Sequence, residues 1–89
     1  MSIINLQNIL DIAEDMESLK PTGVDGDADG YDKAIVGITD DGQLVYSKEK
    51  MIQITAKFME EEEAIEWLEF NTFCAYVGEK TPLYISTGI

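Results

Sequence analysis

The sequence predicts one α+β domain in which an antiparallel hairpin and a C-terminal strand pack against two to three helices, in the order α-β-β-α-α-β. Three observations carry that expectation. Two stretches, residues 6–16 and 65–77, repeat apolar residues at helical spacing. Two short β-rich runs, residues 33–39 and 44–46, flank the hairpin signal Asp40-Asp41-Gly42-Gln43. After Gly78, Thr81-Pro82 resets the backbone to an extended path, and the residues beyond alternate as a strand does. Eighty-nine residues, 45% of them hydrophobic, hold one modest core, and no linker or repeat divides residues 1–89.

The first element is expected over residues 3–19. Leu6, Ile9, Leu10, Ala13 and Met16 fall on one helical face, with Asp11, Glu14, Asp15 and Glu17 largely off it. Ser2 or Asn5 would cap its start, and Lys20-Pro21 would end it, since the residue before proline resists helical backbone. A loop rich in glycine and aspartate follows over residues 20–30. Its string Asp25-Gly26-Asp27-Ala28-Asp29-Gly30 matches positions 1, 3, 5 and 6 of a calcium-binding loop. Position 12, where a bidentate glutamate completes such a shell, is Val36, so Asp25, Asp27 and Asp29 are expected to hold calcium weakly at best. The competing reading is a solvated loop.

The hairpin occupies residues 33–46. Ser47 then reads as the N-cap of a helix over residues 48–58, with Met51 or Ile52, Thr55 or Ala56, and Met59 facing inward. A break near Met59-Glu60 separates it from a central helix over residues 61–77. Stepped at 100° per residue, Ile65, Phe73 and Tyr76 share an arc that Trp67, Phe70, Cys74 and Val77 continue. That helix turns apolar all round in its second half, so Phe70, Phe73, Cys74 and Val77 are expected in the core. Gly78 is the expected stop, and a strand over residues 82–87 should bury Leu83 and Ile85 against Tyr84 and Ser86 outside.

Charge is the compositional extreme. Eighteen acidic residues against six basic ones leave a net −12, which repels nucleic acid and anionic membrane and attracts a basic surface. The chain has no histidine and one cysteine, which excludes a Cys/His nucleophile pair and an internal disulfide. It has no glycine-rich phosphate loop and no histidine or cysteine metal cluster, so neither an enzyme nor a cofactor is expected. The sequence shows no apolar run of bilayer-spanning length and no basic-then-apolar leader, pointing to the cytoplasm.

The segments GYDKAIVG (Gly30–Gly37), VYSKEKMI (Val45–Ile52), MEEEEAIEWLEFN (Met59–Asn71) and AYVGEKTPLYI (Ala75–Ile85) together resemble a group of small, uncharacterised bacteriophage and prophage proteins. In that group a hydroxyl residue usually caps the second of two helices, where this chain has Glu60. The resemblance implies a phage setting and a compact fold, and no chemistry. Joined to the charge, it suggests a small acidic accessory protein that binds a basic surface of a host or phage protein without catalysis. Glu62, Glu63 and Glu66 would form the ridge and Trp67 the apolar anchor, set against a solvated acidic face and a core tryptophan. The alternatives are a DNA-mimic-like inhibitor of a host nucleic-acid-binding protein, a weak calcium module, and a homodimer formed through helix faces. Asn71, the lone amide of the apolar helix half, either satisfies a backbone group of the sheet or lines a small site with Tyr31, Asp32 and Glu79.

Overall fold

The structure, a computed structural model, describes residues 6–75 and 78–88. Helix α1 (Leu6–Asp15) buries Ile9 and Ala13, one turn apart, and leaves Asp11, Glu14 and Asp15 in water. The expected start at residue 3 and its caps, Ser2 and Asn5, lie outside the described residues. The helix stops four residues short of the expected Leu19, because Glu17 turns left-handed at φ 56°. Ser18 N–H then donates to Ala13 O and Glu17 N–H to Glu14 O, at 2.9 and 3.1 Å, closing the end as a Schellman motif. Such ends usually carry glycine, so a glutamate there gives no warning.

A 3₁₀ turn (Asp32–Ala34) leads into β1 (Ile35–Ile38), which pairs antiparallel with β2 (Leu44–Ser47) as the Asp-Gly signal implied. The register slips between Ile35 and Gly37, so Val36 bulges outward. Ser47 ends β2 and at once caps α2 (Lys48–Thr55), its Oγ accepting from Lys50 N–H at 3.3 Å. On α2 the inward residues are Met51 and Thr55, both fully buried. The helix ends before the expected residue 58, in a turn closed by Phe58 N–H donating to Thr55 O.

Helix α3 (Glu61–Leu68) begins just past the expected break. Its N-cap, Glu60, is extended at φ −67°, ψ 155° and makes no side-chain cap hydrogen bond. A glutamate side chain is too long to fold back onto the first N–H groups, which leaves them to water. Replacing Glu60 with Ser should therefore raise stability by about 0.5–1 kcal/mol in urea unfolding, with no change in the fold. An unchanged midpoint would show that Glu61–Glu63 already satisfy the helix start through its dipole.

The last strand, β3 (Leu83–Ile85), completes the sheet and corrects the expectation of which face it buries. It pairs parallel with β2, so the three-stranded sheet is mixed, in the order β1-β2-β3. The chain leaves β2 through helices and returns beside it, and a helical crossover delivers a parallel neighbour. Its faces are reversed. Leu83 and Ile85 are 40% and 44% exposed, while Tyr84 turns inward beside Tyr46. The rings of Tyr46 and Tyr84 lie 5.9 Å apart and those of Phe73 and Tyr84 5.2 Å apart, so aromatic stacking sets the inner face.

The helices cover that inner face, and one cluster joins Ile9, Ala13, Tyr31, Ile35, Leu44, Tyr46, Met51 and Leu68. Inside it, Thr55 donates to Met51 O at 2.9 Å. Its only proton is thereby used, so the Tyr31 hydroxyl must donate to Thr55 Oγ1 across 2.7 Å. The shortest dimension of the domain is 21 Å, which accommodates two layers and no third.

Candidate functional site: the π turn and its cleft

Helix α3 buries Ala64 and Leu68, and the next residue along that stripe, Thr72, is buried too. After Leu68, and including Thr72, the chain forms a π turn (Glu69–Phe73), in which hydrogen bonds span five residues instead of four. This overturns the expected buried helix end. Phe70 is 91% exposed, Cys74 is exposed, and Phe73 is half-buried. The expected helical positions Tyr76 and Val77 lie outside the described residues. Geometry explains the correction: Phe70 stands about 200° around the axis from Leu68, and a two-layer domain has nothing to cover that side. Phe73 instead packs on Tyr84 and carries the Lys48 ammonium 5.3 Å from its ring centroid.

On the inward flank of the π turn lies a cleft of about 350 Å³. Trp67 and Asn71 form one wall, Pro21 and Thr22 the other, and Pro82 and Tyr84 line it from the start of β3. Asn71 Nδ2 donates to Trp67 O at 2.9 Å, so the amide is anchored to its own helix rather than to the sheet. Its grouping with Tyr31, Asp32 and Glu79 does not form, since β2 separates β1 from β3 and these two run in opposite directions. Burial, and then the nearby Tyr31, push the Tyr84 phenol up to about 12, so this part of the lining is uncharged at neutral pH.

Lys20 closes one end of the cleft. Its Nζ lies 2.8 Å from Asp29 Oδ1 and 3.2 Å from Asp32 Oδ1, and it donates to Asp32 Oδ2 at 3.3 Å. The Oδ1 contact with Asp32 is an ion pair without hydrogen-bond geometry, since that buried oxygen has no hydrogen-bond partner. Burial alone would lower the lysine, but the two carboxylates outweigh it and hold its pKa raised.

No match emerges when the chain is compared with protein-family models, curated proteins and solved structures. The site must therefore be read from its own geometry.

The other residues singled out in the sequence are dispersed. Asp25 Oδ1 accepts from Asp27 N–H at 3.1 Å and Asp27 Oδ1 from Asp29 N–H at 2.9 Å, while Asp29 turns to Lys20. Each carboxylate serves a local partner, and among the described residues no three metal-binding side chains converge. Glu62, Glu63 and Glu66 are exposed along α3, with Trp67 half-buried between them and the cleft. No helix among the described residues is long and apolar enough to cross a membrane.

Glu49, in the first turn of α2, holds the C-terminal segment. Its Oε1 accepts from Thr87 N–H at 2.9 Å and its Oε2 from Gly88 N–H at 3.0 Å. These amides, Thr87 first, lower the carboxyl below its ordinary 4.5. A lowered folded value means that the contribution to stability is complete above about pH 4.5 and disappears as pH falls through the folded pKa. Glu49→Gln should therefore speed amide exchange at Thr87 and Gly88 at pH 7 and leave it unchanged once the pH lies well below the folded pKa of Glu49, where both proteins carry a neutral group.

Proposed function

We propose that this chain is a small, non-enzymatic protein-binding module of phage type that docks on a basic partner through the exposed face of α3 and its π turn. Phe70 carries the proposal: a phenylalanine 91% exposed on a folded domain. Burying such a side chain is worth about 1.5–3 kcal/mol, and the monomer leaves that gain unused. Glu66 lies one turn before it, Glu69 adjoins it, and Glu62 and Glu63 continue the same helix. An aromatic anchor ringed by one sign of charge is the usual layout of a site that steers a partner electrostatically and then desolvates a small apolar centre. The net charge of −12 and the resemblance to small phage proteins support a cationic partner in an infected bacterial cell.

Phe70→Asp tests this reading. It should leave the melting temperature nearly unchanged, because little is packed against the ring, and abolish capture of a basic protein from bacterial lysate. Lysine at Glu62, Glu63 and Glu66 should slow association with that protein and flatten its salt dependence. Capture that is the same for wild type and Phe70→Asp, or indifferent to salt, would refute the proposal.

A further inference from the structure

The cleft between Trp67 and Pro21 has a chemical character that selects its guest. Among the described residues its one charged lining group is the Lys20 ammonium. That charge is already paired, because Asp29 and Asp32, which line a separate cavity, hold Nζ at 2.8 and 3.2 Å. A cation would meet an ammonium and no carboxylate, and an anion would meet an engaged lysine on a chain carrying −12. The guest is therefore neutral. Trp67 and Tyr84 give the walls aromatic surface, and Pro21 and Pro82 add apolar surface. Those walls also hold unused donors. Neither the Trp67 indole N–H nor the Tyr84 hydroxyl has a hydrogen-bond partner among the described residues. Asn71 uses one N–H on Trp67 O and keeps the other free. A guest that displaces water here must bring acceptors, or these donors lose their partners without replacement. An aliphatic side chain alone fills the space and leaves them unmatched. A proline segment fits better: it has no N–H of its own, its carbonyls are unbonded in the polyproline conformation, and its rings lie flat on aromatic side chains. A volume of about 350 Å³ is at the low end for a binding site, so the cleft suits a few such residues rather than a long segment.

We infer that the cleft receives a short proline-containing segment of a protein partner in the polyproline conformation, its rings on Trp67 and Tyr84 and its carbonyls on the free donors. Phe70 is not among the lining residues, so this contact is separate from the docking face proposed above and does not depend on it.

Acetyl-hexaproline amide tests this when titrated into the full chain, followed by Trp67 fluorescence and by the Asn71 side-chain amide in NMR. Trp67 is the only tryptophan, so its emission follows this wall of the cleft. Binding should saturate with a dissociation constant on the order of 0.1–1 mM and should not change with salt, since the guest carries no charge. A flexible Gly-Ser repeat of the same length, also neutral, should bind at least about tenfold more weakly, because it brings its own donors and must be ordered. Asn71→Leu removes a free donor at an exposed position. Tyr84→Phe removes another and keeps the ring that stacks on Tyr46 and Phe73. Each should weaken hexaproline by about threefold or more and leave the melting temperature nearly unchanged. The inference is overturned by equal binding of the Gly-Ser repeat, or by tighter binding of acetyl-arginine amide or benzoate than of hexaproline. Full affinity in both Asn71→Leu and Tyr84→Phe overturns it too, as does the lack of any saturable shift. Phe70→Asp should titrate as wild type does, and loss of hexaproline binding in that variant would move the contact out of the cleft. Wild-type titration together with unaltered lysate capture by Phe70→Asp would sustain the cleft and reject only the docking face.

Discussion

Replacing Tyr46 with Ala is expected to cost about 3–5 kcal/mol, the loss typical of a large aromatic removed from a packed interior. Tyr46 is fully buried at the middle of the central strand. It aligns with Ile35 on β1 and with Tyr84 on β3, so it is the one side chain that ties all three strands on the inner face. A domain of this size holds only about 5–15 kcal/mol in total, so the variant should sit close to global unfolding. At about 4–8 °C per kcal/mol, its melting midpoint should drop by about 12 °C or more. The cavity should be felt furthest at β3, whose Tyr84 would lose its stacking neighbour 5.9 Å away. Amide exchange at Leu83–Ile85 should accelerate before exchange at α1. Tyr46→Phe keeps the ring and should stay within about 1 kcal/mol of wild type. If Ala and Phe proved equally mild, the aromatic stack would not be what holds β3 to the sheet.

How much of this was readable in advance follows from how local each cause is. The cap at Ser47, the Asp-Gly hairpin, the inward pair Ile9 and Ala13, and the break before Glu61 each depend on a few neighbouring residues, and each appears where sequence rules place it. The left-handed Glu17 does not announce itself, because its conformation is imposed by closure of the helix end against the preferences of its own side chain. The reversal of β3 depends on a partner 38 residues away. Alternation gives two faces, but only the pairing of Tyr84 with Tyr46 decides which one turns inward. Phe70 is the same problem on a helix. A wheel shows where an apolar residue points, and only the number of layers shows whether anything lies there. The candidate site inherits this limit. Trp67 and the neighbouring glutamates are visible as a chemical pattern, whereas the cleft is built from Pro21, Trp67 and Pro82, which only tertiary structure brings together.

Gly42→Ala is the second large effect, and its cause is backbone and packing together. Gly42 sits at φ 88° in the hairpin, a region that costs a side-chain-bearing residue about 1–2 kcal/mol. A Cβ built there would also lie 2.7 Å from Lys80 Nζ and 3.1 Å from Met16 Cβ. Lys80 Nζ, the far end of a flexible side chain, can shift away at little cost, so Met16 is the neighbour that yields less. Lys80 Nζ donates to Asp41 O at 2.6 Å, and Met16 is fixed by the closed end of α1, whose Ser18 hydroxyl donates to Gly42 O. Overpacking of this kind adds about 1–3 kcal/mol, so the total should be about 2–5 kcal/mol. Gly26 provides the internal control, with a similar φ of 86° and nothing within 4 Å of an added Cβ. Gly26→Ala should therefore show the backbone cost alone, and the excess at Gly42 measures the crowding. Adding Lys80→Ala to Gly42→Ala should recover part of that excess in a double-mutant cycle. Equal unfolding midpoints for the two glycine variants would mean that the hairpin rides free of α1 and Lys80, and the packing of the turn against the first helix would have to be abandoned.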